Sequence, residues 1–89
     1  MKLQLVCEKT GEIFYRDVDG VEIENFKVVN DSSLMYFVED IEDRYNVEME
    51  LSVYEGTVEY VVYGSDDEMK LEEILDEIFN FIIYWRQSD

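Results

Sequence analysis

The side chains available for chemistry in this chain are carboxylates. Its 89 residues hold 23 Asp and Glu against seven Lys and Arg, with no His, for a formal net charge of −16. Without histidine there is no side chain whose unperturbed pKa lies near neutrality to shuttle a proton. Ser-His and Cys-His nucleophiles are excluded with it. The single thiol, Cys7, falls on the inward side of an alternating stretch, where cysteine acts as packing. There is no phosphate-binding glycine loop and no dinucleotide fingerprint. Paired carboxylates occur wherever a chain is this acidic, so their abundance removes their value as a catalytic signal. "DVDGVE" imitates part of a calcium loop through Asp17, Asp19 and Gly20, but the full pattern needs a glutamate six residues after the glycine, and Phe26 stands there. "SDDE" at 65–68 attracts cations only weakly, and helix capping accounts for it. The expectation is a protein that is not an enzyme and uses no cofactor or metal.

What the carboxylates offer instead is a field. Residues 1–38 hold seven acids and four bases, residues 39–77 hold fifteen acids and two bases (Arg44 and Lys70), and residues 78–89 are neutral. Direct binding of nucleic acid is opposed, because such a chain repels phosphate and its bases form no stripe. The reverse is the expectation: displayed carboxylates occupying a site built for DNA or RNA on a basic partner. Glu48 and Glu50 start one row on a strand, which Glu59 extends across a hairpin. Glu39, Asp40, Glu42 and Asp43 line the outer side of one helix. Glu68, Glu72, Glu73, Asp76 and Glu77 line another. The alternative is an acidic, heavily solvated surface with no such partner. In size and charge the chain is similar to viral and prophage counter-defence proteins, such as anti-CRISPR and anti-restriction inhibitors. An immunity protein that caps a nuclease toxin would show the same surface.

These residues must be positioned by a fold, and the composition supports one. The chain is 47% hydrophobic and 15% aromatic, with no proline and four glycines. High net charge leads to disorder only when hydrophobicity is low. One compact domain over residues 1–89 is expected. "KLQLVCE" alternates as a strand, "EKTGE" turns with Gly11 at positive φ, and "IFYRDV" is a second strand. Asp19-Gly20 is a hairpin signal leading into a third strand, "VEIENFKVV". "NDSSLMYFVEDIEDRYN" is a helix capped by Asp31 or Ser32, with Leu34, Phe37, Val38, Ile41 and Tyr45 on one face. "VEMELSV" and "VEYVVY" flank the turn "YEGT", with Val47, Met49, Leu51 and Val53 inward. Ser65 and Glu68 form a capping box for a last helix. Its inward arc carries Leu71, Ile74, Leu75, Ile78, Phe81, Ile82 and Trp85. The order β-β-β-α-β-β-α predicts an α+β fold, an antiparallel sheet of about five strands with both helices packed on one face.

That arrangement leaves apolar side chains unassigned. Phe79, Ile83 and Tyr84 lie outside the arc of the last helix. They are either covered within the chain or form a contact surface for another chain, including a homodimer used as a structural or assembly module. On the sheet, Val6, Tyr54, Val61 and Tyr63 face away from the helices among Glu48, Glu50 and Glu59. Tyrosine is favoured at interfaces, so this face is a second candidate for partner binding. The chain has no 18-residue apolar run, so no membrane contact is expected. Its start, "MKLQLVCEKTGE", turns polar too early for a signal peptide. With its lone cysteine, the expectation is a reducing, cytoplasmic setting.

Overall fold

The computed structural model describes residues 1–18 and 32–87. The expected Asp19-Gly20 turn, the expected strand over 21–29 and the cap candidate Asp31 lie outside the described residues, as do the side chains of Ser32, the other cap candidate, and Trp85. The elements are β1 (Lys2–Cys7), β2 (Ile13–Asp17), α1 (Ser32–Tyr45), β3 (Glu48–Tyr54), β4 (Thr57–Tyr63) and α2 (Glu68–Gln87).

Four strands form one sheet in the order β2-β1-β4-β3. β1 pairs antiparallel with β2, β3 pairs antiparallel with β4, and β1 and β4 run parallel in the centre. The fold is α+β as expected, but the sheet is mixed and has four described strands rather than about five antiparallel ones. The cause is a crossover. After the β1–β2 hairpin the chain returns through α1 and β3, and the β3–β4 hairpin sets β4 beside β1. That leaves β2 and β3 at the edges of the described sheet.

Local sequence explains the joints. Gly11 takes φ +78° in the turn after β1. Glu55 and Gly56 take φ +42° and +73°, the two positive angles of a tight two-residue hairpin loop. α1 ends at Asn46, whose φ of +56° lets the Val47 N–H reach back to the Glu42 carbonyl at 3.1 Å. Lys70 Nζ donates to the Tyr45 carbonyl at 3.2 Å and satisfies another group at that helix end.

The start of α2 departs from the expected capping box. Asp67 is the cap: its Oδ1 accepts from the Met69 N–H at 3.0 Å and the Lys70 N–H at 3.4 Å. Ser65 is buried two residues before the cap and accepts from the Asp67 N–H at 3.2 Å. Glu68, the first helical residue, is therefore not placed three residues after the cap.

Strand alternation sorts the sheet into two faces. Leu3, Leu5 and Cys7 of β1 share a face with Val58, Tyr60 and Val62 of β4, and all six are buried. Cys7 Sγ donates to the Ser65 carbonyl at 3.3 Å. Both helices cover that face. Leu71, Ile74, Leu75, Ile78 and Ile82 of α2 and Leu34 and Ile41 of α1 complete the core. Phe81, expected in the inward arc, is half-buried and stacks on Phe37 of α1 with ring centroids 4.5 Å apart. Among the described residues no helix is long and apolar enough to cross a membrane.

Candidate functional site

The face of the sheet turned away from the helices is built from alternate residues of all four strands. Register places Tyr15, Gln4, Glu59 and Ser52 in one row, and Ile13, Val6, Val61 and Glu50 in the next. Beyond them Glu48 pairs with Tyr63, and at the other end Tyr54 pairs with Thr57. Among the described residues no element lies over this face. Ile13 is 57% exposed, Tyr15 55% and Tyr54 45%.

The polar groups here are held in set positions. Gln4 Nε2 donates to Glu59 Oε1 at 2.7 Å, and the Tyr54 hydroxyl donates to the same oxygen at 3.3 Å. The Tyr63 hydroxyl donates to Glu50 Oε2 at 3.1 Å. Lost hydration, then the neighbouring Glu59 charge, pushes the Tyr54 phenol up. The hydrogen bond to Glu50 does the same for Tyr63. Both phenols therefore remain protonated donors at neutral pH. A carboxylate accepts at both oxygens, so the second oxygen of Glu50 and of Glu59 suits an incoming donor. Lys2 shares the face, and its ammonium lies 4.6 Å from the Tyr15 ring centroid.

The helix layer places the other expected acids on the opposite side of the molecule, where internal bases already engage several. Arg44 Nε donates to Asp40 at 2.7 Å and Arg44 Nη2 to Glu77 at 2.6 Å. Glu77 also accepts from the Tyr45 hydroxyl. Arg16 Nη2 donates to Glu72 at 2.7 Å and to Asp76 at 3.1 Å. Glu73 lies 3.5 Å from the Tyr45 hydroxyl. Glu42 is half-buried, and its Oε2 accepts from the Met49 N–H at 2.9 Å. Glu39, Asp43 and Glu68 are exposed. Glu68 lies beside Glu12, whose carboxyl is pushed up by lost hydration and then by its shared hydrogen bond with Glu68. The acids expected to act as one surface are thus divided between two faces, and the arginines offset part of the helical set.

The apolar candidates divide as well. Phe79 and Ile83 are half-buried and pack against the core, while Tyr84 is 71% exposed. Tyr54 and Tyr63 stand on the open sheet face, as their alternation predicts. Ile13 and Tyr15 are the members of that face which sequence reasoning missed. In "IFYRD" both alternations contain large apolar residues. The deciding feature is tertiary: Phe14 and Arg16 turn inward because α2 supplies carboxylates for the arginine. Leu51 is the other departure. It shares the helix-facing side with Tyr60 and Val53, yet it remains 36% exposed. Between α1 and β3 lies a groove of about 180 Å³, lined in part by Met35, Val38, Glu39 and Leu51.

Among the described residues no group of three or more His, Cys, Asp or Glu side chains is placed to hold a metal ion. No protein-family model matches the chain, and neither does any curated protein or solved structure.

Proposed function

We propose that this protein is a non-catalytic, acidic binding protein that inhibits or masks a basic nucleic-acid-binding protein by presenting carboxylates where that partner accepts phosphates. One observation carries the reading. The sheet face that no described element covers interleaves Glu48, Glu50 and Glu59 with Tyr15, Tyr54, Tyr63 and Ile13, and Lys2 is the base among the described residues whose strand position lies on it. Solvation alone does not call for tyrosines at those positions. Phosphate mimicry requires charge for approach and a flat, semi-apolar surface for retention. Long-range attraction raises the association rate, and buried aromatic contacts lower the dissociation rate. Size and net charge agree with an inhibitor of the viral or prophage counter-defence kind, whose partner is a defence nuclease.

The test starts from a partner captured from host lysate and identified. Glu48→Lys with Glu50→Lys is expected to slow association, with little change in the melting temperature, because both side chains point away from the core. Tyr54→Ala and Tyr63→Ala are expected to speed dissociation. Added salt weakens binding, and DNA or RNA competes for the partner. A partner that holds nucleic acid and this protein together, with neither weakening the other, rules the mimicry out.

A further inference from the structure

The edge of β3 carries a second surface. β3 ends the sheet, with β4 on one side and no described strand on the other. The Met49 N–H points to that open side, since it donates to Glu42 Oε2 rather than to β4. Backbone groups alternate direction along a strand, so the N–H and C=O groups of Leu51 and Val53 point the same way as those of Met49. Glu42 closes the first of these positions, and among the described residues no group closes the next two. Beside them lies the groove between α1 and β3, floored by half-exposed Leu51 and flanked by exposed Met35.

We infer that this edge receives an extended segment of the partner whose side chains alternate between apolar and basic, added as a further strand of the sheet. The inference rests on the reading above that the partner is basic. Geometry sets the alternation. On a strand laid along Leu51 and Val53, inward side chains enter the groove at Met35 and Leu51, and outward ones stand beside Glu48 and Glu50. Glu39 at the groove rim favours a cationic end. A second copy of this chain fits worse. Pairing β3 with its own copy brings two molecules of net charge −16 together, and that repulsion opposes the pair.

The probe is a seven-residue peptide of alternating lysine and valine, capped at both ends. In the free protein the Leu51 and Val53 amides should exchange with solvent quickly and the Glu50 and Ser52 amides slowly. Saturating peptide should slow Leu51 and Val53 exchange by about tenfold or more. N-methylation at one set of alternate peptide amides should weaken binding by about tenfold, the equivalent of a hydrogen bond or two, while methylation of the other set changes little. Equal binding by both methylated peptides would show attraction by charge alone and overturn the inference. So would Leu51 and Val53 amides already protected in the free protein, with sedimentation showing whether a second copy or the chain itself covers them. The two proposals fail separately. Loss of nucleic-acid competition with the edge signature intact removes mimicry and leaves the strand addition standing. Competition without the signature does the reverse.

Discussion

Glu77 takes donors from two residues at once, the Arg44 guanidinium and the Tyr45 hydroxyl. Its hydrogen bond from Arg44 holds its carboxyl below the usual range, and the same contact network pushes the Tyr45 phenol up to about 12. A carboxyl whose folded pKa is lowered stabilises the fold above its unfolded value, about 4.3, and that contribution is lost as pH falls through the folded value. Glu77→Gln should therefore cost about 1 kcal/mol at pH 7, near the upper end for a partly exposed pair. Thermal melts would show the difference from wild type shrinking below pH 4. Glu39→Gln, on an exposed position, should stay within about 0.5 kcal/mol at either pH. A Glu77 penalty that does not change with pH would trace to shape rather than charge. Glu12 is the opposite case. Its raised pKa means that proton uptake at mildly acid pH adds stability, which is lost as pH rises through the folded value.

At the scale of elements, the start of α2 separates two capping schemes. The structure assigns the cap to Asp67, so Asp67→Ala should lower stability by about 1 kcal/mol. Glu68→Gln should be neutral or stabilising, because it relieves the contact with Glu12. A capping box would give a clear loss at Glu68, and denaturant titration of the two variants distinguishes them. The error in the sequence reading was local: Ser65 and Asp67 are both good caps, and Glu68 completes a motif with one of them. What was legible follows from short-range pattern. "KLQLVC" and "VEYVVY" alternate strictly, the glycine after Glu55 marks its turn, and the stripe from Leu71 to Ile82 has helical spacing. What was not legible depends on contacts distant in sequence. Parallel pairing of Leu3 with Val58 joins strands more than fifty residues apart. No local pattern shows that Arg16 turns inward toward Glu72, and so that Tyr15 and Ile13 turn outward. The same holds for Phe79 and Ile83. Helical angle alone marks them as surplus, and their packing against the core means that charged replacements there should cost stability as well as any self-association.

The molecule as a whole carries a net charge of −16, and its ion pairs do not cancel that field. The four described pairs draw on two arginines, Arg16 and Arg44, so each arginine serves two acids. Exposed pairs of this kind contribute about 0–1 kcal/mol each and weaken with salt. Repulsion among the remaining acids acts over longer distances and is screened as well. The Debye length falls from about 30 Å at 0.01 M to about 10 Å at 0.1 M. The Cα radius of gyration is 12.3 Å, so at the lower salt every carboxylate is within range of nearly every other, and at the higher salt only of its neighbours. The repulsive sum therefore loses more than the pairs do, and the melting temperature should rise across that interval. About 1 kcal/mol of relief corresponds to roughly 4–8 °C in a domain of this size. Lowering pH should act in the same direction, since Glu12, whose carboxyl is pushed up, takes up a proton and removes a charge before Glu77 is reached. A melting temperature that falls with salt would mean that the arginine pairs outweigh the field. The open sheet face would then owe its carboxylates to local structure, and attraction of a basic partner would lose its long-range part.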